Sequence, residues 1–106
     1  MDGYQITFFT QQDRRHRGHV LAHWLVEQAR KLGIHGATMF GGSEGFGHRG
    51  RIHSAHFFDL ADQPVEIVMA VTFDEADRLF ALLREERVQI VYVKTRVEFG
   101  ILGGDE

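Results

Sequence analysis

Val65-Glu66-Ile67-Val68-Met69-Ala70-Val71 is the stretch from which the fold is read outward. Side chains alternate along an extended chain, so Val65, Ile67, Met69 and Val71 share one face, and the run predicts a strand. A few residues on, the period changes. Ala76, Leu79, Phe80 and Leu83 recur at three and four, which predicts an amphipathic helix. Asp74 is placed to cap it, with acidic Glu75 and Asp77 in the first turn, where the helix dipole favours them. Residues 88–99 then predict a long closing strand. The first half repeats this order. Tyr4-Gln5-Ile6-Thr7-Phe8-Phe9-Thr10 is rich in β-branched and aromatic types and predicts a strand. Over 18–32, Leu21, Ala22, Leu25, Ala29 and Leu32 define a helix that Gly33 stops, and 37–40 reads as a short strand.

Between the halves, five of the ten residues in 41–50 are glycine, a density that excludes a helix. Residues 52–60 read as a further extended run, ended by the turn signal Ala61-Asp62-Gln63-Pro64. Whether 52–60 and 65–71 make one kinked strand or two is open at this level. The order predicts an α+β, ferredoxin-like (βαββαβ) sandwich: an antiparallel sheet, two helices on one face and a glycine-rich hairpin. The second sheet face then needs cover. Phe8, Phe57, Phe58, Val91, Val93 and Phe99 cannot all point at two helices, so the expectation is self-association through leftover apolar sheet surface.

The 106 residues, 12.1 kDa in mass, suit one domain over 1–106, with 100–106 as a loose tail. The composition, 43% apolar and 25% charged, is that of an ordinary globular chain. With no cysteine there can be no disulfide framework, iron–sulfur cluster or thiol nucleophile, and a cytoplasmic setting is expected. No apolar run approaches the ~18 residues of a spanning helix and no secretory leader is evident, so the expectation is a chain neither exported nor membrane-embedded. The net charge of −3 argues against nucleic acid as a partner. That mean hides a polarity, because residues 1–58 stand at +3 and residues 59–106 at −6. Anion chemistry is therefore expected in the first half.

The segment Gly41-Gly42-Ser43-Glu44-Gly45-Phe46-Gly47-His48-Arg49-Gly50-Arg51-Ile52-His53-Ser54-Ala55 is the most informative. Glycines let backbone N–H groups approach a ligand, and Arg49, Arg51, His48 and His53 add positive donors, a combination suited to phosphate or carboxylate. A solvated hairpin whose glycines only serve turns fits the same composition. The segment is neither a Walker A loop nor a dinucleotide fingerprint, since no Gly-Lys-Ser/Thr and no helix follow it. A second cationic stretch, Asp13-Arg14-Arg15-His16-Arg17-Gly18-His19, precedes the first helix; it reads first as a solvated loop, since three arginines in water need no ligand, and otherwise as a helix N-terminus that could hold a phosphate with Arg14, Arg15 or Arg17.

Glu44-Gly45-Phe46-Gly47 followed by Gly50-Arg51-Ile52-His53-Ser54-Ala55 resembles the signature of a family of small PII-like proteins, and Gly18, 29–33 and Gly36-Ala37-Thr38 agree with it. The resemblance spans about 4–97. It implies a ferredoxin-like protomer, a homotrimer with the sheets facing inward, and a T-loop-like hairpin between the second and third strands. It further implies a small anionic effector, an adenine nucleotide above all, bound at the subunit boundary. A protein partner such as a transporter, enzyme or regulator would be engaged through the loop. Gly45, Phe46 and Gly47 match the loop base, where the PII backbone turns past the nucleotide. The Thr-Gly-rich phosphate loop of true PII proteins has no counterpart after 88–93, and Lys94 and Arg96 with the Gly103-Gly104 tail are the candidates to substitute for it. Ala22 stands where many relatives have an aromatic residue.

Other chemistries are weaker. His48, His53 and His56 are the nearest metal cluster, and a trimeric histidine-rich metal-binding protein is the alternative function. On a strand, however, His53 and His56 point to opposite faces. Gly45-Phe46-Gly47 echoes an RNA-binding pattern that His48 and Arg49 break. No nucleophile elbow appears, and Glu44 is the only carboxylate in the glycine segment, so the expectation is a sensor rather than an enzyme. His23 reads as a boundary residue of the first helix, Trp24 as an anchor against the sheet or a neighbour, and Glu85, Glu86 and Arg87 as helix-ending residues with no other role.

Overall fold

Alternation carries the central strands into a sheet. The computed structural model describes residues 1–41, 44–46, 52–54 and 63–103. Its elements in chain order are β1 (Asp2–Gln11), β2 (Arg15–His16), β3 (His19–Val20), α1 (Leu21–Lys31), β4 (Ala37–Gly41), β5 (Glu44–Phe46), β6 (Ile52–Ser54), β7 (Pro64–Thr72), α2 (Phe73–Glu85) and β8 (Val91–Glu98). The main sheet has the order β4-β7-β1-β8 with every neighbouring pair antiparallel, which is the ferredoxin-like arrangement. In register, Met39, Ile67, Phe8 and Tyr92 form one cross-strand row, and Ala37, Met69, Ile6 and Lys94 the next.

The core lies between this face and the two helices. Ile6, Phe8, Ile67 and Val71 pack with Ala22 and Leu25 of α1 and Leu79 of α2, all fully buried. Each large apolar side chain so buried contributes roughly 1.5–3 kcal/mol. The opposite face carries the rows Phe40-Glu66-Phe9-Val91 and Thr38-Val68-Thr7-Val93, of which Phe40, Phe9, Val91 and Val93 are exposed. The expected leftover apolar surface is therefore there: Val91 and Val93 belong to it as expected, joined by Phe9 and Phe40. Phe8 lies under the helices, Phe99 is half-buried with its N–H bonded to the Met1 carbonyl, and Phe57 and Phe58 lie outside the described residues.

Four local readings are corrected. Thr72, not Asp74, caps α2: its hydroxyl accepts from Glu75 N–H at 3.2 Å and its own N–H donates to the Glu75 carboxylate at 2.8 Å. This capping box satisfies two N–H groups at once, and Asp74 instead pairs with Arg78 one turn on. The first helix begins at Leu21, because Arg15–His16 and His19–Val20 form a hairpin around Arg17 (φ 51°) and Gly18 (φ 80°). Positive φ at both loop residues is the turn that matches strand twist. The last strand begins at Val91 rather than Val88, since Val88 N–H bonds back to the Leu83 carbonyl to close α2 over Arg87 (φ 56°). Pro64 opens β7, where the missing N–H costs no ladder bond. Of the extended run 52–60, Ile52–Ser54 form β6 in a different sheet from β7, and 55–60 lie outside the described residues. No helix among the described residues is long and apolar enough to cross a membrane.

Candidate functional site

β8 is an edge strand, and its helix-side residues Tyr92, Lys94 and Arg96 stay exposed beside α2. Around them the sequence has set aromatic rings. Phe80 of α2 meets Tyr92 edge-on at 4.9 Å between centroids, and Phe73 meets Tyr4 at 5.0 Å. The Lys94 ammonium stands 4.4 Å from the Tyr4 ring centroid and 5.3 Å from that of Phe80, while the Arg96 guanidinium stands 5.2 Å over Phe73. Each such contact is worth about 0.5–1 kcal/mol at an exposed site and fixes the side chain's course without neutralising its charge. The result is a strip of two oriented cations on an aromatic bed, suited to an anion that also offers an aromatic or apolar part. The aromatic half of this strip was missed in the sequence. Tyr4, Phe73, Phe80 and Tyr92 come from three elements, and the register of β1 with β8 together with the packing of α2 on those strands brings them together.

The glycine-rich segment continues from the other edge of the sheet. After β4 ends at Gly41, β5 and β6 form a two-stranded ribbon with the pairs Glu44 to Ser54, Gly45 to His53 and Phe46 to Ile52. This puts Gly45, Phe46 and His53 in the ribbon; Gly47, His48, Arg49 and Arg51, with His56, lie outside the described residues. β4 and β8 are the two edges of a four-stranded sheet, three strand spacings or about 14 Å apart. Within one protomer, Lys94 and Arg96 are adjacent to each other but not to the strand that leads into the ribbon.

In the arginine-rich stretch before α1, part of the anion-binding potential is already taken up within the chain. The Leu21 N–H already donates to the Arg14 carbonyl at 2.8 Å, and Val20, the N-cap, makes no side-chain bond. Arg17 is turned away to Glu86, its Nε 2.5 Å from Oε1, and His16 Nε2 lies 2.9 Å from the same oxygen. Glu86 thus has a role beyond ending α2: it ties the β2–β3 hairpin to the helix. The hydrogen bond from Arg17, then that from His16, holds the Glu86 carboxyl below the usual carboxylate range, and Glu86 in turn raises the Arg17 guanidinium. Trp24 packs on the core and against the His16 ring, 4.3 Å between centroids, so its anchor is the hairpin as well. His23 is exposed rather than at a boundary. Among the described residues no group of three or more His, Cys, Asp or Glu side chains could hold a metal ion.

Residues 3–99 match the family described as DUF190, Uncharacterized ACR, COG1993. The chain belongs to this family. Its fold is also that of solved PII-like proteins. A PII-like signalling protein from Thermus thermophilus superposes with a TM-score of 0.67 at 22% identity, over 92% of this chain and 88% of its own. CPII, a nitrogen regulatory PII-like protein from Thiomonas intermedia solved with ADP, AMP and bicarbonate, superposes with a TM-score of 0.72 at 16% identity, over 96% and 92%. Its apo form gives a TM-score of 0.60 at 13% identity, over 92% and 90%. At these identities the likeness establishes a PII-like fold for this DUF190 chain and leaves its ligand to be argued from its own residues.

Proposed function

We propose that this protein is a cytoplasmic, non-enzymatic regulator of the PII-like kind, a homotrimer that binds an adenine nucleotide between subunits and signals to a protein partner through its glycine-rich loop. The observation that carries the reading is the separation of the two candidate halves. Lys94 and Arg96 wait on one sheet edge while the loop leaves from the other, so a closed site needs the loop of a neighbouring copy. The apolar face bearing Phe9, Phe40, Val91 and Val93 supplies the reason for copies to come together. In the assembled site Lys94 and Arg96 take the phosphates. The neighbour's Gly45, Phe46 and Gly47 lend backbone donors and close approach, and its His48, Arg49, Arg51 and His53 add charge. Ordering of the loop on the ligand would change what the partner grips. The ADP- and AMP-bound CPII structures make the adenine nucleotide the first ligand to try.

Titration calorimetry with ADP, AMP and ATP tests the ligand, and light scattering tests the assembly. Replacing Lys94 and Arg96 together by alanine removes two charge-assisted contacts and should weaken binding about 10- to 100-fold, with the trimer mass unchanged. Absence of heat at millimolar nucleotide refutes the nucleotide. A monomer at micromolar protein refutes the shared site.

A further inference from the structure

Away from the β8 strip, a surface groove runs between α1 and the β2–β3 hairpin, with Arg15, His19, His23, Trp24 and Lys31 among its lining. Its floor includes half-buried Val20 and Trp24, and its rim is basic. The two other charges in it are already satisfied within the chain: Arg17 by Glu86, and Glu27 by Arg30. Arg15 and Lys31 make no ion pair among the described residues, and His19 and His23 are exposed. Along α1 the groove extends from Val20 to Lys31, about 16 Å at 1.5 Å per residue, which is the length of about five residues of extended peptide. The hairpin wall is held in place by the Glu86 bonds to His16 and Arg17, so the groove exists before any partner arrives.

We propose that this groove is a docking site for an extended acidic segment of a partner protein, with one apolar side chain seated on Trp24. Charge complementarity selects acidic chemistry, since Arg15, Arg17 and Lys31 of the lining are cations and Glu27, the one carboxylate among them, is shared between Arg30 and Lys31. The spread of these donors over about 16 Å selects an extended chain over a compact phosphate, which needs donors converging on one point. The half-buried indole calls for an apolar side chain between the carboxylates. The site is independent of the nucleotide reading, because it shares no residue with the β8 strip or the glycine-rich loop.

Trp24 is the only tryptophan in the chain, so its fluorescence reports on this groove alone. The probe is the peptide acetyl-Asp-Glu-Leu-Asp-Glu-amide, titrated into the full chain at about 50 mM and about 200 mM salt, since screening should weaken such contacts. A saturable change in Trp24 emission is expected, weaker at the higher salt and reduced at least tenfold in affinity by Arg15→Glu with Lys31→Glu. Serine in place of the peptide's leucine should weaken it as well. Both substituted residues are exposed, so far-ultraviolet circular dichroism of the double variant should match the wild type, while its melting temperature should fall slightly, because Lys31→Glu puts a like charge four residues after Glu27 in the last turn of α1. Its calorimetric response to ADP should equal the wild type's, whatever that response is. The proposal is overturned by no saturable change up to about 5 mM peptide, a range that covers even weak millimolar binding. It is equally overturned by the same response to a Lys-Arg-Leu-Lys-Arg peptide, or by ADP competing for the groove.

Discussion

Gly3 should be among the least replaceable residues of the sheet. It lies in β1 with Thr72 of β7 on one side and Val97 of β8 on the other. A Cβ built on it would sit 1.8 Å from the Val71 carbonyl oxygen, 2.8 Å from the Val71 carbonyl carbon and 2.9 Å from Thr72 Cα. Carbon and oxygen tolerate about 3.3 Å, so Gly3→Ala requires the two strands to part by roughly 1.5 Å. All three obstacles are backbone atoms, and no side chain can rotate out of the way. The cost therefore falls near the upper end of the overpacking range, about 3 kcal/mol. For 106 residues the unfolding entropy is about 0.22 kcal/mol/K, so Tm should fall by about 13 °C. The next pair along the ladder, Tyr4 with Arg96, should loosen too, so the variant should lose nucleotide affinity more steeply than a remote one of equal stability. The assay is thermal melting by circular dichroism at a single protein concentration, because assembly makes Tm concentration-dependent. Gly36→Ala is the control: its Cβ would meet nothing within 4 Å, and Tm should change by less than about 3 °C. A Gly3→Ala variant melting within about 3 °C of the wild type would refute the close approach on which the reasoning rests.

Arg87 closes α2 at φ 56°, a conformation that costs a non-glycine residue about 1–2 kcal/mol, so Arg87→Gly should raise Tm by about 2–4 °C after the entropy of the looser unfolded chain is deducted. Thr72→Ala removes the hydroxyl of the capping box and should lower stability by about 1 kcal/mol, or roughly 4–5 °C in a melt. Because the folded state holds the Glu86 carboxyl below its ordinary range, its bonds to Arg17 and His16 stabilise the fold above the unfolded value of about 4.3. That share is lost as pH falls through the folded value. Melting curves between about pH 5 and pH 3 should therefore fall more steeply for the wild type than for Glu86→Gln, and parallel curves would show the tie to be silent.

The order of strands and helices was legible because it rests on local periodicity. Val65, Ile67, Met69 and Val71 alternate, Leu21, Leu25 and Ala29 recur at helical spacing, and these are the residues found buried. Gly33 stopping α1 was equally legible, since its φ of 85° suits glycine. The two-residue strands of the β2–β3 hairpin were not, because two residues carry no alternation. Thr72 and Asp74 are both good capping residues, and the choice between them depends on where the last strand residue ends.

Of the candidate site, Lys94 and Arg96 could be named from the sequence, and so could the glycine and arginine content of the loop. Composition alone determined that the chain has no thiol chemistry and that its positive charge is concentrated in the first half. Only the tertiary structure decided which aromatic rings lie beneath those cations and that Glu86 is bound to a hairpin 69 and 70 residues away. Only it decided, too, that Arg15 and Lys31 share one groove. The physical reason is that periodicity and capping act between residues a few positions apart, whereas cation–ring contacts, ion pairs and grooves arise where segments remote in the chain meet. The register of β1 with β8 and the packing of α1 against the hairpin set those meetings.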